Sequence, residues 1–145
     1  MSAEGPLTGP CVGVGAVVIH EGRVLLVRRG KEPLRGRWVV PGGTVELGES
    51  LADAVVREIH EETGIQVAAR QIVTVFDRIQ RDEGRVVHHH VIVDFVCEYV
   101  SGVVKASSDA EAAAWASREE LAAYDLPEKA LAVVLEGFRR ATMFK

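Results

Sequence analysis

Cysteine is nearly absent: Cys11 and Cys97 are the only two in 145 residues, far apart and each beside or inside an apolar run. Two such residues supply neither a disulfide framework nor a zinc site, and they suit reduced core thiols. Basic runs are missing too. With 17 Lys and Arg against 21 Asp and Glu, the formal net charge is −4, which leaves no positive footprint for polymeric nucleic acid. An anionic chain can still handle anionic substrates when divalent cations bridge the two. No apolar stretch approaches the roughly 18 residues of a membrane span, and no basic segment leads into an apolar core and a cleavage site. The expectation is a cytoplasmic protein with no membrane partner. Glycine patterns for phosphate also fall short: Gly13-Val14-Gly15 lacks the third glycine of a dinucleotide fingerprint, and no Walker-type lysine loop occurs. ATP-driven and hydride-transfer chemistry lose support.

What is present is an ordinary globular composition, 48% hydrophobic and 26% charged, in a chain long enough to bury roughly 68–70% of its unfolded surface. Residues 1–10, with Gly5, Pro6, Gly9 and Pro10, read as a loose lead-in, and 11–145 as one domain. Val12–Ile19 and Arg23–Arg28 form a hairpin about His20-Glu21-Gly22, and a polar loop covers 30–36. Trp38-Val39-Val40 is a short strand stopped by Pro41-Gly42-Gly43, a cluster that turns sharply and brings bare backbone close to a ligand. Residues 66–80 and 86–100 are long antiparallel strands about Arg81-Asp82-Glu83-Gly84. A short strand after Ser101-Gly102, a Ser107-Ser108-Asp109 loop, a strand near Ala113–Ala116 and a helical turn at Arg118–Leu121 follow. Pro127 then opens a last helix at its first position, with Leu131, Val134, Leu135 and Phe138 on one face.

The informative segment is the helix between them. Ser50-Leu51-Ala52-Asp53 has the form of a capping-box start and Gly64 that of a left-handed C-terminal cap, which bounds a helix at 51–63. At about 100° per residue, Leu51, Ala54, Val55, Glu58, Glu61 and Glu62 share a stripe about 120° wide. The apolar stripe turns acidic. Three carboxylates at spacings i, i+3 and i+4 repel one another, and Glu61 and Glu62 lie at the negative end of the helix dipole, where an anion is disfavoured by about 0.3–1 kcal/mol. A hard divalent cation, magnesium or manganese, would convert repulsion into coordination. A purely structural alternative pairs Arg57 with Glu61 at i+4 and leaves Glu58 and Glu62 solvated; three glutamates alone favour it.

Their neighbours shift that balance. From Gly43 through Glu49, Arg57, Glu58, Ile59, Glu61, Glu62 and Gly64 to Ile65, the segment resembles the Nudix box, G-x5-E-x7-R-E-U-x-E-E-x-G-U with U bulky aliphatic, and every fixed position matches. The resemblance implies an α+β fold, a Nudix-type α/β/α sandwich with a mixed central sheet. It also implies a reaction in which water attacks a phosphorus of a nucleoside diphosphate linked to another group. Carried over by position, Glu58, Glu61 and Glu62 are the metal ligands, one of them also implicated as base in some members. The backbone carbonyl of Gly42 or Gly43 is a further ligand, and Glu49 orients Arg57. The cofactor implied is Mg2+, with Mn2+ as a substitute. A base or extra ligand from a loop near the C-terminal strand falls on Asp109 or Glu111, before Trp115.

Arg28 and Arg29, closing the second strand, correspond to arginines that meet substrate phosphate in the family; screened charges at a strand end are the alternative. His88 and His90 share the more polar, even-numbered face of their strand with Asp94 and Glu98 and are candidates to touch a nucleotide, although a partly exposed sheet face accounts for them as well. Three consecutive histidines alternate faces, so they do not all ligate one metal. The substrate expected is a small nucleotide derivative, ADP-ribose or a nucleotide sugar first. Against ADP-ribose, many members of that branch carry a proline past the box, and none occurs between Ile65 and Leu126. The alternatives are a sanitising pyrophosphohydrolase of a noncanonical nucleoside triphosphate and a noncatalytic nucleotide sensor, which the intact box disfavours. Relatives often dimerise, and a homodimer would complete a substrate pocket.

Overall fold

The computed structural model describes residues 9–32, 34–105 and 110–142. Seven strands, β1 (Cys11–His20), β2 (Arg23–Arg29), β3 (Trp38–Val39), β4 (Gly42–Thr44), β5 (Gln66–Asp82), β6 (Arg85–Ser101) and β7 (Ala110–Ser117), form one sheet. Two helices flank it, α1 (Leu51–Thr63) and α2 (Glu128–Ala141), with a 3₁₀ helix at Arg118–Tyr124. The main order is β3-β2-β1-β6-β5, with β4 also on β1 and β7 also on β2. The β1–β6 pair is parallel and the others are antiparallel, so the sheet is mixed and the chain is α+β. The loose lead-in expected at 1–10 and the Ser107-Ser108-Asp109 loop fall largely outside the described residues.

Period-2 alternation sends the two faces of the sheet to two cores. Val14, Ala16 and Val18 of β1 join Leu25, Val55, Ile59 and Phe95 beneath α1. Val17 joins Val24, Leu26, Leu121, Val133 and Val134 beneath α2. Truncating the fully buried Ile59 to alanine would cost about 2–5 kcal/mol.

Helix α1 has the bounds its capping residues set. Ser50 Oγ accepts the Asp53 amide at 3.1 Å, and Gly64 stands at φ 84°, a left-handed turn that favours glycine. The β5–β6 turn narrows to Glu83 and Gly84 at φ 51° and 79°, the mirror-image turn whose twist matches that of the strands.

Three readings change. Gly42-Gly43 does not simply turn the chain: Gly42–Thr44 is a strand pairing with Gly13–Gly15 of β1. This is possible because β2 leaves β1 after Ile19↔Val24 and frees the rest of that edge. Residues 102–105 form no strand, although the Lys105 amide donates to Thr63 O at 2.8 Å. Pro127 is the N-cap of α2 rather than its first residue; Val134 is buried and Leu135 and Phe138 pack against the same core as expected, but Leu131 is exposed and Val133 and Gly137 are buried as well. A Cβ at Gly137 would stand 2.3 Å from Val17 Cγ1, so the helix lies close on β1 there. Among the described residues, no helix is long and apolar enough to cross a membrane.

Candidate active site

The site is assembled where α1 crosses the short strand β4. Arg57 organises it. Its Nε and Nη2 donate to Glu49 Oε2 and Oε1 at 2.7 and 2.9 Å, a bidentate pair. Nη2 also donates to Thr44 O at 3.0 Å, and Nη1 to Glu58 Oε1 at 2.8 Å and Glu61 Oε1 at 3.1 Å. One guanidinium thus ties the helix to β4 and to the loop before the helix. Glu49 is fixed from its other side by the Glu46 amide at 3.0 Å. The Arg57 guanidinium first, and that amide second, hold the Glu49 carboxyl at about 2 instead of 4.5. Glu49 in turn raises Arg57 above its ordinary value, with Glu58 adding to the effect and desolvation opposing it.

The glutamates are not equivalent. Glu58, 19% exposed, lays its carboxylate over Gly43, where an added Cβ would stand 1.8 Å from Oε2. Glu62 accepts the Gly42 amide at 3.0 Å. Both therefore turn inward onto the paired glycines, whereas Glu61 is 58% exposed and meets Arg57 at the rim. Gly42 is constrained as tightly, because a Cβ there would stand 2.1 Å from Val14 O. The Arg57–Glu61 pair of the purely structural alternative does form, but the same arginine also holds Glu49 and Glu58, and Glu58 and Glu62 face the glycines instead of bulk solvent.

Carboxylate and carbonyl oxygens are the donors a hard divalent cation takes, and Glu58 and Glu62 bring the former against the Gly42-Gly43 backbone that carries the latter. The donor chemistry fits a cation. Among the described residues, however, no three carboxylate, imidazole or thiol groups are gathered as they stand, since Glu58 and Glu61 turn to Arg57 and Glu62 to the Gly42 amide.

These residues border a cleft of about 1540 Å³ between α1, the β4 edge, the β5–β6 ribbon and the start of α2. Gly42, Glu49, Arg57, Glu58, Glu61 and Glu62 line it, as do Arg29, His88 and His90. Arg28 and Glu111 do not. They pair with each other at 3.1 Å, with the Arg28 guanidinium carbon 5.9 Å from the centre of the Trp38 ring. Successive side chains of a strand point to opposite faces, which separates the two arginines, and the β2–β7 ladder shifts register between them with Glu111 as the extra residue of β7. Asp109 lies outside the described residues.

The even-numbered face of β6 does form a cleft wall, with His88, His90, Ile92 and Asp94 in file. The rings of His88 and His90 stack at 6.4 Å. His90 is lowered from its ordinary value, by desolvation first and then by Arg78 and its two histidine neighbours. Asp94 is raised by burial, against the Thr74 hydroxyl and Arg78. Sequence reasoning assigned no role to Asp94, Arg78 or Lys129, which also line the cleft. The one available signal was a charge inside the apolar run Val91–Cys97, on the same parity as His88 and His90.

Comparison with known proteins bears on the family and the fold. The NUDIX domain family model matches residues 9–136. The chain is 35% identical over 104 residues to an ADP-ribose pyrophosphatase of Methanocaldococcus jannaschii, covering 72% of this chain and 60% of that protein, so it spans less than two thirds of that relative. It is 34% identical over 116 residues to the CTP pyrophosphohydrolase of Escherichia coli, covering 78% and 80% of the two chains. The crystal structure of a MutT NUDIX hydrolase from Burkholderia pseudomallei superposes with a TM-score of 0.74 at 30% identity, covering 88% of this chain and 97% of that one.

Proposed function

The chain belongs to the Nudix hydrolase family, and from that membership we propose that it hydrolyses a diphosphate bond in a nucleoside diphosphate linked to a second group, with ADP-ribose or a nucleotide sugar the first candidate. The observation that carries this is the Arg57 assembly, in which one cation orients Glu49, Glu58 and Glu61 while Glu58 and Glu62 turn onto Gly43 and Gly42 at the floor of the cleft. Glu58, Glu61, Glu62 and the Gly42 carbonyl are the groups to hold Mg2+ or Mn2+. When bound, such an ion supplies charge neutralisation of the diphosphate and activation of water.

The rest of the chemistry falls to the protein. Arg57 keeps the carboxylates from splaying apart under their mutual repulsion. Arg29, on the cleft wall, meets phosphate. One of the three glutamates accepts the proton of the attacking water. His88 and His90 flank the nucleotide. Two thiols standing apart on β1 and β6, with Cys97 raised to about 12 by burial, fit a reducing, cytoplasmic compartment.

A second reading, pyrophosphohydrolysis of a nucleoside triphosphate, is favoured by the likeness to the E. coli CTP pyrophosphohydrolase over 80% of that protein's length. The test is turnover with Mg2+ on ADP-ribose, nucleotide sugars, dinucleotides and nucleoside triphosphates. Activity that survives in both Glu58→Gln and Glu62→Gln would sink the mechanism, and no turnover on any of these would favour a nucleotide sensor.

A further inference from the structure

The cleft holds a buried acid that the hydrolytic assembly leaves unused. Asp94 is 4% exposed yet lines the cleft. Thr74 Oγ1 donates to its Oδ2 at 3.2 Å. Its Oδ1 lies over Gly15, where an added Cβ would stand 2.2 Å away. Gly15 is thus the residue that makes room for the carboxyl. Phe76 and Ile92 line the same wall, and the His90 Nδ1 there is buried with no hydrogen-bond partner among the described residues.

Position says what this acid is for. Gly15 pairs with Gly42 on one side and with Asp94 on the other. The Asp94 backbone therefore lies two strand spacings, roughly 10 Å, from the glycine whose amide holds Glu62. Its parity is opposite to that of Val93 and Phe95, which pack beneath α1, so its carboxyl turns to the other face of the sheet from the α1 glutamates. Two strand spacings are about the distance from a phosphate of a nucleotide across its ribose to its base. A strand clamp alone does not call for a carboxyl, since a buried one is costly and a hydroxyl or apolar pair would hold β5 to β6 at lower cost.

We propose that Asp94 reads the base of the bound nucleotide, accepting a hydrogen bond from an exocyclic amino group and so favouring adenine, cytosine or guanine over uracil. Uracil presents a carbonyl oxygen where cytosine carries its amino group, and two acceptors repel. The inference rests on the reading that this cleft takes a nucleotide, and it adds which part of the substrate β6 selects. Asp94 is a specificity residue, with no part in the bond cleavage.

The test is calorimetric binding of AMP, CMP, GMP and UMP to the full chain, which needs no turnover. The wild type binds an amino-bearing nucleotide about tenfold or more tightly than UMP. Asp94→Asn, whose amide donates to a carbonyl, loses that preference or reverses it. Thr74→Val, which frees the carboxyl to rotate, weakens the preference less. Should Asp94→Asn lose its melting transition, Thr74→Val alone decides the question. A wild type that does not rank the four by their amino groups, or variants that keep the wild-type ranking, overturn the inference. Ranked binding without hydrolysis of any diphosphate substrate overturns the proposed function and leaves this inference standing. Hydrolysis without ranking does the reverse.

Discussion

Gly43→Ala separates catalytic geometry from stability. A Cβ at Gly43 would stand 1.8 Å from Glu58 Oε2, 2.1 Å from Cδ and 2.8 Å from Cγ. Reaching ordinary contact at about 3.4 Å obliges the carboxylate to move by roughly 1.6 Å. The atoms that must move are the end of a flexible side chain, so the fold loses about the cost of one displaced rotamer, ~0.5–1.5 kcal/mol. For a domain of this size that is a fall in Tm of about 2–6 °C. Catalysis is far less tolerant, because a displacement of ~1 Å in a positioned group costs on the order of 100-fold. The expected result is kcat/KM down about 100-fold or more, with a far-ultraviolet dichroism spectrum like that of the wild type. Adding Glu58→Gln to Gly43→Ala costs little further, because both changes remove one function. Near-wild-type turnover in Gly43→Ala, or multiplicative losses in the double variant, would refute the assignment of Glu58.

Four further outcomes are expected. Arg57→Lys keeps the charge but not the bidentate pair with Glu49, so kcat falls about 10–100-fold with a smaller change in KM, read from steady-state kinetics. Glu49 is depressed to about 2 from 4.5, so its stabilising share is complete above about pH 4.5 and is lost as pH falls toward 2; urea midpoints across that window flatten in Glu49→Gln. Glu136, held at about 2 by Arg139 and Arg140, contributes over the same window and is the control variant. Arg28→Ala leaves kcat/KM within about twofold, since Arg28 meets Glu111 and Trp38 away from the cleft, whereas Arg29→Ala raises KM by about tenfold. Equal effects at the two arginines would undo that distinction.

Local signals carried the most legible parts of this chain. The bounds of α1 follow from Ser50 and Gly64, whereas the Glu49–Arg57 pairing is implied by the resemblance to the Nudix box and is present in the structure. What failed to show depends on partners distant in sequence. Gly42-Gly43 looks like a turn because glycine is scored locally, yet β1 offers an open edge and makes a strand of it. The α2 stripe of Leu131, Val134, Leu135 and Phe138 reaches the second core through its last three members, but the helical period alone does not show that Val133 and Gly137 are buried with them while Leu131 is exposed. Arg28 and Arg29 are adjacent and alike in chemistry; strand alternation parts them, but which face meets Glu111 and which the cleft is set by the packing of the whole sheet. Asp94 sits at the right parity for the wall, but its purpose appears only once Gly15 and Thr74 are seen against it.

The most direct measurement of the central claim is ³¹P NMR of ADP-ribose and a nucleotide sugar incubated with the chain, with Mg2+ and with a chelator in its place. Cleavage of the diphosphate resonances into two phosphomonoesters with Mg2+, none with chelator, and none in Glu62→Gln is the result expected. Diphosphate cleavage that continues in the chelator or in Glu62→Gln would contradict a metal-dependent reaction run by the α1 carboxylates.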